Sequence, residues 1–465
     1  MRLPRPTDIL ISFGNADFMN FDEFKNKAGT FNVLRRIDFA GCYYYATATV
    51  TFDSLVEADI IKLKNLEMDS KVSPRLSEDQ YKILSKILPL AAHEYTHFID
   101  STSSLWGLNL LAKMNEAYLC SDLLQRDERR FHAAKEFHDY IKRIALPEYY
   151  TYKTNAQNTR PWQVTVTNGQ LFDSEGKLSD RVVLFQRFAN FQGELLVRSP
   201  ISTASLLEAS AMAQQILTHL MLVRRIEGDF GIVEARDFPR RTLDYLYDPK
   251  ITEYSVCVHL VSNQLGLFDG IAAFAVCAML TRLVLNFSAE IFDRLLNTKD
   301  LMRRVGLPES HKFSDRLRDG LKHRDLGVAF FLLTRCLPKK PGLEPHEIRS
   351  VVRVAAKALG LDLSAVHAAA VNEARKIVGN LKETTIGPIR LLSEFGLANM
   401  TRIEPNSASI DFTKLHLPQA LLGDMTNVRL MGRADSALGA LPVDEIFEPL
   451  HRGEAWVARF AEGCI

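Results

Sequence analysis

Residues His93, Glu94, Tyr95, Thr96 and His97 spell H-E-x-x-H. On an α-helix, two histidines four residues apart lie on one face about one turn apart, so both imidazoles reach a single metal ion. The acid beside the first histidine stays off the metal and is available as a base towards an attacking water. The chemistry this pattern specifies is metal-assisted hydrolysis: one Zn²⁺ held by His93 and His97, with Glu94 as the catalytic base.

Such residues need a rigid element to carry them. From Ile83 to Ala92 apolar side chains recur at helical spacing, and Phe98 and Ile99 continue the pattern, which predicts a motif helix over 81–103. Pro89 offers a later start for the helix, since in a first turn its missing N–H costs nothing. Two histidines and an acid on a mainly apolar helix are expensive to bury without hydrogen bonds or a metal to satisfy them.

A catalytic zinc site commonly takes three protein ligands, and two glutamates compete for the third position. Glu116 lies in Lys113-Met-Asn-Glu-Ala-Tyr118, with eighteen residues separating it from His97. On a helical wheel the apolar face there runs through Leu108, Leu111, Asn115, Tyr118 and Leu119, and Glu116 sits off its centre. Glu208 is the sole acid of a stretch, Ser202 to Arg225, that is apolar nearly all round. A lone buried carboxylate needs a partner, and a metal ion is a good one. The pair Ser205 and Glu208 also reads as a capping box; Ser202 and Thr203 offer an earlier cap, which would place Glu208 inside the helix. Glu208 is the preferred third ligand and Glu116 the alternative.

These segments resemble known families. The pattern H-E-x-x-H-x18-E, with Asn115-Glu116-Ala117, resembles the gluzincin metallopeptidases, the thermolysin-like enzymes and zinc aminopeptidases. Leu206-Leu207-Glu208 resembles the third-ligand helix of HExxH families in which the glutamate comes much later. The run His93 to Asp100 is similar to uncharacterised bacterial proteins with an H-E-[YW]-x-H-F-x-D core. Glu462-Gly463-Cys464 resembles a peptide deformylase strand, but in that family the cysteine ligand precedes the motif helix, so the match is rejected. The resemblance implies a zincin-type metallopeptidase acting on a peptide or protein substrate. A catalytically inactive zincin-like binding protein and a zinc hydrolase of a non-peptide substrate are the competing readings.

Asp100, three residues after His97, is expected to orient a metal-bound imidazole from outside the ligand set. His219, Tyr254 and His259 follow the Glu208 helix and are candidates for a donor that stabilises the oxyanion.

The net charge of +1 gives no support to nucleic-acid or anionic-membrane binding, so neither partner is expected. Six cysteines (Cys42, Cys120, Cys257, Cys277, Cys336 and Cys464) contain no C-x-x-C pair and read as thiols of a reducing compartment. The start of the chain is too short in apolar residues for a signal peptide, and the most apolar candidate, Gly270 to Leu280, is below spanning length. These features give the expectation of a cytoplasmic protein.

The fold expected is α+β and mainly α: a zincin-like core with a small N-terminal β-sheet packed on the HExxH helix, plus a helical C-terminal region. Residues 1–290 form the metallopeptidase region and 291–465 the mainly helical remainder. Within the first, residues 1–60 are β-rich, with strands over Asp8–Phe13 and Tyr43–Phe52. A hairpin is expected over 162–173, turning at Asn168-Gly169 and offering an edge strand to a peptide, and a helix over 202–225. Further helices are expected over Asn263–Leu295, Ser314–Cys336 and Pro345–Leu359, the last stopped by Gly360. Pro338 to Gly342 reads as a linker, and the last hundred residues as short helices and loops.

Overall fold

A computed structural model describes residues 10–12, 20–28, 40–69, 75–119, 128–144, 146–173 and 176–463. Helices dominate, with two small sheets, so the α+β, mainly helical class is what the chain adopts. The motif helix runs from Glu78 to Thr102. Ser77 caps it, its side chain accepting from the Gln80 N–H while the Gln80 side chain answers to the Ser77 N–H, a reciprocal capping box. The helix thus begins three residues before the expected start at 81, and Pro89 sits inside it, not in a first turn. Proline removes a single backbone hydrogen bond, and the buried half that follows holds the helix together.

A second long helix, Thr203–Val223, packs along the motif helix and is buried on almost every side. It is capped by Ser202, whose hydroxyl accepts from the Ser205 N–H, so Glu208 lies in the second turn and takes no part in capping. By length and composition it is the single helix among the described residues able to cross a membrane, besides two bent helix pairs, yet it carries Glu208 in the interior of the fold. Helices Thr252–Leu265 and Gly270–Leu285 pack against it. The expected helix over Asn263–Leu295 is therefore three pieces, with Ala289–Leu296 the third, broken at Gly266 (φ +77°) and after Asn286. The expected Ser314–Cys336 helix is likewise two, Lys312–Lys322 and Leu326–Arg335, the second restarted by the Asp325 cap. Ile348–Ala358 ends just before Gly360, at φ +71°.

The strands are β1 (Leu10–Ser12), β2 (Cys42–Tyr44), β3 (Thr49–Phe52), β4 (Tyr152–Lys153), β5 (Gln163–Phe172), β6 (Leu178–Ala189), β7 (Leu195–Ile201), β8 (Ala420–Leu422) and β9 (Asn427–Arg429). One sheet has the order β1-β9-β8-β3-β2 and the other β4-β7-β6-β5. Asp8, Ile9 and Phe13 of the first expected strand lie outside the described residues. Among the described residues, the first sixty carry three strands but also the helix Phe21–Ala28 and the start of the helix Glu57–Asp69. The expected single strand over Tyr43–Phe52 is a tight hairpin: β2 and β3 pair antiparallel about a turn at residues 45–48, where Ala48 takes φ +51°.

Two further expectations are corrected. Asn168-Gly169 is not a turn; it lies mid-strand in β5, paired with Leu184 and Val183 of β6. Gly169 is small because the Phe185 ring covers it: a Cβ there would lie 2.9 Å from Phe185 Cε2. The chain reverses instead between Phe172 and Leu178, where Asp173 accepts from the Lys177 N–H and Gly176 takes φ +77°. The last hundred residues hold the long helices Leu363–Leu381, Gly387–Arg402 and Val443–Gly463, and they supply β8 and β9 to the sheet of β2 and β3. β8 runs parallel to β3, with Val50 opposite Ala420 and Phe52 opposite Leu422. One continuous hydrophobic core extends from Tyr43 to Val457, across the 290/291 boundary.

Cys42, Cys257, Cys277 and Cys336 carry free thiols, and Cys120 and Cys464 lie outside the described residues.

Candidate metal centre

The motif helix and the helix of Glu208 meet where both are fully buried. His93, Glu94, His97 and Glu208 are 7%, 5%, 1% and 1% exposed, so none has water enough to satisfy it. The Nε2 atoms of His93 and His97 lie 3.2 Å apart, and Glu208 Oε2 lies 3.5 Å from the first and 3.4 Å from the second. Three donor atoms therefore form a near-equilateral triangle. Glu208 Oε2 is buried with no hydrogen-bond partner, the condition of a group awaiting a cation. Among the described residues this is the one cluster of His, Cys, Asp or Glu side chains placed to hold a metal ion.

The electrostatics keep the carboxylate ready to bind. Burial alone would raise the Glu208 pKa, but the His97 and His93 rings outweigh it and hold the group down at about 2. For His97 burial wins and lowers its pKa, favouring the neutral, ligating form. Burial also pushes His93 down, but Glu208 and Glu94 outweigh it and favour its protonated form, so a metal would displace that proton.

Of the expected site residues, His93, His97 and Glu208 come together and Glu116 does not. Glu116 is exposed on helix Leu105–Tyr118, apart from the cluster. Glu94 is buried beside the pair, its Oε1 against Gly41 at the entrance to β2; a Cβ at Gly41 would lie 3.1 Å from it. The same Cβ would lie 2.9 Å from the Thr51 carbonyl, so a side chain at position 41 would have to shift the strand or Glu94.

Asp100 does not hold a histidine of the cluster by any recorded hydrogen bond. It is buried one turn further on, beside Ser210 and facing Arg282, and burial raises its pKa to about 7. The group on His97 Nδ1 is Tyr45, its hydroxyl 3.1 Å away, held in the β2–β3 turn. Tyr43 stacks on the same ring at 6.5 Å and accepts a hydrogen bond from Ser101. Sequence reasoning missed Tyr45 because a tyrosine in a β-rich run reads as strand, and nothing local marks the turn. Gln215, seven residues after Glu208 and so on the same helix face, lies beside His93 and was also missed.

Among the three oxyanion candidates, Tyr254 stands at the cluster, its ring 6.0 Å from that of His93. His259 is enclosed by Trp162, Phe188 and Tyr247 and bonds the Leu246 carbonyl at 2.7 Å. His219 bonds the Tyr81 hydroxyl at 2.8 Å, and Tyr81 in turn bonds Glu234, away from the donors. Both are structural.

A metal-ligating histidine is oriented by the partner of its other nitrogen, and loss of such a partner costs about 10–100-fold in metal affinity. Tyr45→Phe is accordingly expected to weaken metal binding about tenfold with little change in Tm, measured by competition with a chromophoric chelator. An unchanged affinity would remove Tyr45 from the site.

No protein-family model, curated protein or solved structure matches this chain. The site itself defines the class: a mainly helical α+β protein with a buried group of two histidines and one glutamate that could hold a metal ion.

Proposed function

We propose that the protein is a zinc-dependent metallopeptidase of zincin type, with His93, His97 and Glu208 as the zinc ligands and Glu94 as the base. The observation that carries this reading is the size of the donor triangle. A tetrahedral ion with bonds of ~2.0–2.1 Å sets its donors ~3.3–3.4 Å apart, and the three separations here are 3.2, 3.4 and 3.5 Å. Imidazole and carboxylate donors suit zinc and disfavour calcium or magnesium, which prefer oxygen alone.

Zinc bound there supplies Lewis acidity, polarising a scissile carbonyl and acidifying a water. Glu94 accepts the proton of the attacking water and delivers it to the leaving amine, as a carboxylate next to but outside the ligand set is placed to do. Tyr45 fixes the ring of His97 through Nδ1. Tyr254, beside His93, is the candidate donor to the oxyanion.

The reading predicts about one zinc per chain by elemental analysis. Chelation is expected to abolish cleavage of a broad peptide library, and added zinc to restore it. The near-complete burial of all four side chains favours a second reading, in which the ion ties the two long helices together without turnover. Under that reading chelation lowers the Tm and the peptide library stays uncut with or without zinc.

A further inference from the structure

We infer that a cavity between β5–β6 and the helices Thr252–Leu265 and Leu326–Arg335 binds a small anion bearing a planar amide-like edge, such as a mononucleotide or an acylated amino acid. The cavity has a volume of about 580 Å³, within the range of small-molecule sites. None of the metal-cluster residues lines it, so this inference is independent of the peptidase reading.

Its floor is the face of β5 and β6 that presents Val164, Val166 and Gln186, with Gln186 directly opposite Val166. Gln186 is wholly buried, and neither its Nε2 nor its Oε1 has a hydrogen-bond partner. A core position would avoid that cost, since a buried amide left unpaired destabilises the fold and an apolar side chain of similar shape does not. The neighbouring amides are engaged: Asn263 Nδ2 donates to the His259 carbonyl at 2.7 Å, and Gln264 Nε2 to those of Arg335 and Leu337. Gln186 backs the cavity wall with no accessible surface of its own, so a ligand that parts the wall meets an unpaired donor and acceptor side by side. An amide or a nucleobase edge presents the complementary pair.

The charge of the cavity selects the rest of the ligand. Arg335 and Lys339 line it, and no carboxylate does. Both bond only neutral acceptors: Arg335 reaches the Val305 carbonyl and Gln264 Oε1, and Lys339 the Asn263 carbonyl at 2.8 Å. Two cations without a counter-charge favour a phosphate or carboxylate. Phe313 and Phe331, edge to face at 5.8 Å, supply apolar wall for a ring.

The test titrates the intact protein by thermal shift and calorimetry with AMP, GMP, CMP, UMP and N-acetylphenylalanine. Inorganic phosphate, adenosine and N-acetylphenylalanine amide are the single-group controls. At least one two-group ligand is expected to bind one to one, at least tenfold more tightly than its single-group analogues, and the arm that binds names the source. Gln186→Leu should weaken that ligand tenfold or more, leave zinc content unchanged, and raise the Tm of the ligand-free protein. Lys339→Met, at an exposed position, should weaken the anion without altering the Tm. Binding by none of the two-group ligands, or equal binding of phosphate alone, overturns the inference. So does a lower ligand-free Tm for Gln186→Leu, which would make the amide part of the fold.

Discussion

Glu94→Gln is expected to keep the metal and lose about 10²–10⁴-fold in peptide hydrolysis, the usual contribution of a general base. The substitution is nearly isosteric, which matters here because the carboxylate is buried against Gly41 and tolerates no added bulk. Glutamine retains the volume and an acceptor oxygen but cannot take the proton from water. Zinc content by elemental analysis and kcat/KM on a cleaved peptide separate the two effects. Full activity in Glu94→Gln would show that the base lies elsewhere; a metal-free variant would make Glu94 part of the binding site.

Glu208→Ala should lose the metal, with affinity falling by more than about 100-fold, beyond the 10–100-fold that an outer hydrogen-bonding partner accounts for. It removes one of three donors, the carboxylate that lies within 3.5 Å of both imidazoles. Glu116→Ala, at an exposed position outside the cluster, should bind zinc as the unaltered protein does. Competition with a chelator of known affinity measures both, and circular dichroism confirms that the Glu208 variant is folded. Equal zinc retention in the two variants would falsify the assignment of Glu208.

What could be read from the chain divides by the range of the interactions. His93, Glu94 and His97 were legible because helix periodicity alone sets their relation. Glu208 was legible for a different reason: an acid inside an apolar helix that Ser202 already caps has no local use. Choosing it over Glu116 needed the packing of two helices more than a hundred residues apart in sequence, which spacing does not encode. Tyr45 was out of reach because its partner, His97, is 52 residues away and its own segment resembles a strand. Asn168-Gly169 misled in the opposite direction, since the demand for a small residue comes from the Phe185 ring on the neighbouring strand. β8 and β9, three residues each, are too short to show any period.

β8 joins β3 in parallel, and the Tyr95 hydroxyl of the motif helix donates to the Pro418 carbonyl at 3.1 Å. The turn that carries Tyr45 and the helix that carries both histidines are thus braced by a segment that begins 323 residues beyond Tyr95. Contacts so distant in sequence form late, because the long intervening loop must first be closed. A chain folded only as far as Glu208 therefore carries all three candidate ligands yet lacks the brace that holds them in register. The geometry that could hold a metal ion is thus set only once the distant segment has docked, a delay between making the site and arming it.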